Sequence, residues 1–139
     1  MTDVPPAPRA QDEQDARPPQ RWRQKFGVAL RGLKLGIRGQ SSFFVHFFFT
    51  ALVVAAAIVL DCRLEQWCLL LLCIGLVLTA ELFNSAVESL FRGLEEDTRR
   101  RVWPALDIAA GAVFMASFIA GLVGCIIFGT QLFHRFFAN

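Results

Sequence analysis

The sequence contains no tyrosine, and charged residues make up only 19% of its 139 positions, against roughly 25% in an average soluble domain. Four cysteines are present, Cys62, Cys68, Cys73 and Cys125, with no CxxC spacing among them. That disfavours a zinc site or a disulfide scaffold and leaves small buried hydrophobes as the reading. No P-loop, GxSxG, HExxH or GxGxxG stands in the chain, so no familiar nucleotide or hydrolase signature is available. A net charge of +2 disfavours a highly charged nucleic-acid binder, and no nucleic-acid partner is expected. What the chain has in abundance is apolar surface: 55% hydrophobic residues, including 14 phenylalanines. Neither a disordered chain nor an ordinary water-soluble globule fits that composition.

The apolar residues are unevenly distributed. Residues 1–20 hold Pro5, Pro6, Pro8, Pro18 and Pro19 and almost nothing apolar, so this stretch is expected to be a disordered tail rather than a secretory signal. Residues 21–38 carry Arg21, Arg23, Lys25, Arg31, Lys34 and Arg38 and no acid. Between them Phe26, Leu30, Leu33 and Ile37 form one helical stripe,. The pattern predicts a basic amphipathic helix over residues 22–39, lying in a membrane interface against anionic headgroups. The alternative is a helix packed on a protein core.

Three apolar segments follow. Phe43 to Leu60 has His46 and Thr50 as its polar members, Trp67 to Phe83 has Thr79 and Glu81, and Ile108 to Phe133 has no charged residue. A span needs about 20 apolar residues, and the last segment offers no polar face to water. Three membrane crossings are therefore expected, at about 43–60, 66–91 and 106–130, completing an all-α membrane domain over residues 21–134. Basic residues cluster before the first span and at Arg92, Arg99, Arg100 and Arg101, whereas the 61–66 connection has only Arg63. By the positive-inside tendency, the N-terminus and a 92–106 loop are expected in the cytoplasm and the C-terminus outside.

Chemistry concentrates in the second span. Glu81, Asn84, Ser85, Glu88 and Arg92 recur at helical spacing and fall on one face,. Acids inside a span are costly and mark a functional site by default. Glu81 and Glu88 are two turns apart, about 10 Å along the axis, too far to share a proton but suited to two separate roles. One could act as a general base and the other as a ligand for a hard cation. The structural alternative is polar glue between helices. Asp107 invites two readings as well: a carboxylate in the first turn of the third span, favoured by the helix N-terminus, or a partner of Glu88 at the same membrane face.

The run from Glu81 through Asn84, Ser85, Ala86 and Val87 to Glu88 resembles the E-x-x-N-(S/T)-A-(I/V)-E signature of the prokaryotic diacylglycerol kinase and undecaprenol kinase family. The run Ala105-Leu106-Asp107-Ile108-Ala109-Ala110-Gly111-Ala112-Val113 is similar to the family's second motif. Gly27, the Arg31-Gly32-Leu33-Lys34 run and His46 extend the likeness upstream, over roughly residues 21–130. The resemblance implies a homotrimeric lipid kinase of the bacterial cell membrane that transfers the γ-phosphate of Mg-ATP to a lipid alcohol. By matching positions, Glu81 is expected as the general base, with Asn84 beside it, and Glu88 as a magnesium ligand. Asp107, Asp97, Thr98 and Arg99 are expected at the nucleotide site.

Three positions depart from the family pattern: Gln40 stands where a second metal-binding acid is usual, Arg92 where an Asp is usual, and Leu106 where a Lys is usual. Gln40 keeps an oxygen for the metal but lacks the charge, and Arg92 could restore the lost cation from the neighbouring helix. Two classes stay open on this basis, an active lipid kinase acting on diacylglycerol or undecaprenol, and a catalytically weakened helical bundle that binds lipid or a partner.

Overall fold

A computed structural model of the chain describes residues 22–38 and 41–137; the 1–20 tail and Gln40 lie outside the described residues. Helices make up nearly all of it, and no strand occurs among the described residues. In chain order they are α1 (Trp22–Ile37), α2 (Ser41–Val59), α3 (Leu64–Arg92) and α4 (Glu96–Phe137). The chain divides into two units, one ending at Lys34 and the other beginning at Leu35.

In the first unit α1 is the expected amphipathic helix, ending two residues earlier than its sequence pattern predicts. Phe26, Leu30 and Leu33 are exposed along its apolar stripe. The Lys25 ammonium stacks over the Trp22 ring at 5.1 Å, a cation–π contact that keeps a basic and an aromatic group together at the start of the helix.

In the second unit α2, α3 and α4 are each long and apolar enough to cross a membrane. Antiparallel α3 and α4 pack most extensively, and α2 lies more against α3 than against α4. The buried side chains include Ala57, Cys62, Leu70 and Ile127, which form one cluster at the end of the bundle where α2 turns into α3. Elsewhere large apolar side chains point outward, Phe44, Phe83, Ile108 and Phe114 among them. Such contiguous apolar exposure is incompatible with water on every side, and with the length of the three helices it makes the protein a multi-pass membrane protein.

The α2–α3 turn is closed by backbone hydrogen bonds. Cys62 N–H donates to the Ala57 carbonyl at 3.0 Å and Asp61 N–H to that of Ile58 at 3.2 Å. This pair of bonds is the Schellman pattern, in which the residue after the helix end adopts a left-handed conformation. Glycine usually occupies it; here Asp61 does, at φ 52°. α3 then starts with its Gln66 side chain accepting the Arg63 N–H at 2.8 Å. Gln66 Oε1 also accepts from Gln131 Nε2 at 2.5 Å, and Arg135 Nη1 donates to the Val59 carbonyl at 2.8 Å. The far end of α4 is thereby tied to both other spans.

The third long helix differs from its sequence pattern at its start. The expected 92–106 loop is only the short turn between Arg92 and Glu96, and α4 runs straight through Pro104. Glu96 and Asp97 supply the acids of its first turn, where the helix dipole favours them. Asp107 is therefore three turns inside the helix, and the expectation that it stands in the first turn is corrected. At 42 residues and about 1.5 Å per residue, α4 is about 60 Å long, twice the hydrocarbon thickness. Its ends must project beyond the bilayer.

Candidate active site

The polar face predicted on α3 is present, and its members differ in burial. Glu81 and Ser85 are buried, with Glu81 only 2% exposed. Asn84 and Glu88 are half-buried.

A carboxylate so deep in an apolar span must find partners, and α2 provides them. The Ser42 hydroxyl donates a hydrogen bond to Glu81 Oε1. His46 Nε2 stands 3.7 Å from Glu81 Oε2. Ser42 and His46 are one turn apart and so face the same side of α2. Sequence reasoning noted His46 as a polar intruder in an apolar run but gave neither it nor Ser42 a role. The signal was their i, i+4 spacing; what was missing was the helix pairing that aims them at α3.

Beside this group lies a cleft of about 460 Å³ among all three spans. Its walls are almost wholly apolar, with Phe49 and Val53 from α2, Leu70 and Val77 from α3 and Ala120 from α4. His46 forms part of the wall, so the Glu81 carboxylate is reached from the cleft past one imidazole. Ser85, one turn beyond Glu81, has a buried hydroxyl with no hydrogen-bond partner among the described residues. An orphaned buried hydroxyl costs about 1–3 kcal/mol.

Glu88, two turns further along α3, is held on both sides. Asn84 Nδ2 donates to its Oε1 at 3.1 Å, and Arg92 Nη1 lies 3.8 Å from its Oε2. Among the described residues no three His, Cys, Asp or Glu side chains converge as a metal cage. Magnesium does not require one: it takes one or two carboxylates and completes its shell with water and phosphate oxygens. A single half-exposed carboxylate oriented by an amide fits that pattern.

The α4 residues are brought to the same end of the bundle as these acids. The contacts Phe91–Trp103 and Gln66–Gln131 set the antiparallel register, which puts Asp107 level with Glu88. Asp97, Thr98 and Asp107 are exposed. Arg99 is used differently. Its guanidinium donates to the carbonyls of Arg92 at 3.1 Å and Leu94 at 3.2 Å, lies 4.0 Å from Glu96 and packs over the Phe91 ring at 5.5 Å. It closes the α3–α4 turn by satisfying carbonyls that the end of α3 leaves open. Leu106, where a cation was expected, offers none, and Arg92 places a positive charge 3.8 Å from Glu88.

Comparison with known proteins places the chain in a family. The chain is 27% identical over 112 residues to an undecaprenol kinase from Bacillus subtilis (strain 168), an alignment covering 81% of this chain and 91% of that protein. No solved structure matches it. The family model for prokaryotic diacylglycerol kinase matches residues 27–128, a stretch that includes α2, the polar face of α3 and most of α4. The chain therefore belongs to the prokaryotic diacylglycerol kinase family of membrane lipid kinases.

Proposed function

We propose that this protein transfers the γ-phosphate of ATP to the hydroxyl of diacylglycerol or undecaprenol. The observation that carries the reading is the buried Glu81 carboxylate 3.7 Å behind His46, a residue in the wall of an apolar cleft formed by three spans. Hydrocarbon chains belong in such a cleft, and a lipid lodged there brings its hydroxyl toward Glu81. Glu81 takes the hydroxyl proton as the lipid oxygen bonds to the γ-phosphorus; the bond to the bridging oxygen breaks and ADP leaves. Ser42 already donates its hydroxyl to Glu81, the interaction a lipid alcohol makes in this scheme.

Glu88 is the proposed magnesium ligand, oriented by Asn84, and Gln40 is a candidate second ligand. The metal, when bound with the nucleotide, neutralises charge on the phosphates. Asp107, level with Glu88, and Asp97 and Thr98 at the start of α4 complete the nucleotide site in this reading, with Arg92 as its cation. The distribution of basic residues supports placing the N-terminus and the α3–α4 turn in the cytoplasm of a bacterial cell, where ATP is available, and the C-terminus outside. We further propose that the protein functions as a homotrimer; cross-linking that gives only monomer in both detergent and lipid would contradict this.

The deciding experiment is ATP-dependent phosphorylation of each lipid in mixed micelles, with wild type compared against Glu81→Gln. Wild type turns over at least one lipid, and Glu81→Gln loses roughly 100-fold or more. Absence of turnover on both lipids would overturn the kinase reading in favour of a bundle that only binds lipid or a partner.

A further inference from the structure

A general base works only if its lone pair is aimed at the proton it removes. Glu81 is carried by α3, yet among the described residues both partners of its carboxylate, Ser42 and His46, come from α2. The two oxygens are treated differently. Oε1 is engaged by the Ser42 hydroxyl. Oε2 faces His46 Nε2 at 3.7 Å, longer than a hydrogen bond, so its lone pairs stay open to another donor. His46 is also the polar side chain that separates Glu81 from the apolar cleft, whose wall it shares with Val45, Phe49 and Thr50. One ring thus touches both the carboxylate and the space where a lipid fits.

We infer that His46 is a positioning residue for Glu81. It presents Oε2 to a hydroxyl arriving from the cleft, acting through the carboxylate and making no contact with the nucleotide. The inference deepens the kinase reading and rests on it. Its location explains why the first span carries a histidine at all: a purely lipid-facing position would favour an apolar residue.

The test uses the full chain in mixed micelles. His46→Phe keeps the ring volume and removes the polar edge; His46→Gln restores an N–H of similar reach. His46→Phe is expected to lower kcat roughly 10- to 100-fold, the scale of a displaced catalytic group, with KM for ATP unchanged. His46→Gln recovers much of that loss. In a Glu81→Gln background His46→Phe adds no further loss, because residues that act through one another are non-additive. Equal losses in both backgrounds, or a change confined to KM for ATP, would overturn the inference.

A second measurement does not depend on turnover. The chain has two histidines, His46 and His134, so ring-nitrogen NMR carries its own control. Glu81→Gln is expected to shift the His46 signals and leave those of His134 in place. Unmoved His46 signals refute the pairing. Shifted signals in a protein without kinase activity establish the pairing and reject the kinase reading.

Discussion

Asn84 Nδ2 donates to Glu88 Oε1 across one turn of α3, at 3.1 Å. The bond fixes which way the carboxylate faces, while Arg92 at 3.8 Å sits on its other oxygen. Removing a group that orients a metal ligand typically weakens metal affinity 10- to 100-fold. Asn84→Ala should therefore raise the magnesium concentration needed for half-maximal kinase activity by about tenfold or more. A magnesium titration at saturating lipid reads this directly, and an unchanged midpoint would remove Glu88 from the metal site.

Arg99 gives a prediction of the opposite character. Its hydrogen bonds to the Arg92 and Leu94 carbonyls close the α3–α4 turn, and hydrogen bonds to a charged donor contribute about 1.5–3 kcal/mol. Because the group is partly exposed, the lower end of that range is expected. Arg99→Ala should lower stability by roughly 1–2 kcal/mol in a reversible denaturant titration while KM for ATP stays within about threefold. A large KM increase in a fully stable variant would return Arg99 to the nucleotide site.

At the other turn, Asp61 holds a left-handed backbone at φ 52°. That conformation costs a side chain roughly 1–2 kcal/mol, less for Asp than for most residues, and a carboxylate at a helix C-terminus also opposes the dipole. Asp61→Gly relieves both, and it should stabilise the protein by about 0.5–1 kcal/mol; Asp61→Val should destabilise it. Thermal unfolding in detergent distinguishes the two signs.

Cys62, next in the chain, has its thiol pushed above the ordinary cysteine range, first by burial and then by the negative Asp61. Raising an acid's pKa leaves less thiolate at any given pH, and thiolate is the reactive form. Alkylation of Cys62 should therefore be slow at neutral pH, with its rate–pH curve displaced toward higher pH than that of a free thiol. Asp61→Asn should move the curve part of the way back. Peptide mass spectrometry after timed iodoacetamide treatment follows this one site.

Much of the architecture is legible in the sequence because a bilayer imposes simple rules on it. Long apolar runs must be helices, and the acids at Glu81 and Glu88 stand out because charge is expensive inside them. The start of α4 was less legible: Pro104 and the charged 95–101 segment resemble a loop, yet the helix accepts a proline and begins at Glu96 with favourable acids. Asp107 consequently moved from a helix end to a helix interior. The contacts of His46 and Ser42 with Glu81 were illegible for a different reason. They join residues 35 and 39 positions apart, and helical periodicity carries no information about which face of α2 meets which face of α3.

The tie between Gln66 and Gln131 lies toward the end of the bundle that holds the Ala57, Cys62, Leu70 and Ile127 cluster, about 33 Å along α3 from Glu88. Structural cohesion and chemistry thus occupy opposite poles of the same three helices. Substitutions at the packed pole should change how many molecules reach the folded state, whereas those at the acidic pole should change what each folded molecule can do. A survey that scored only total activity per cell would merge the two; normalising to folded protein would separate them along the membrane normal.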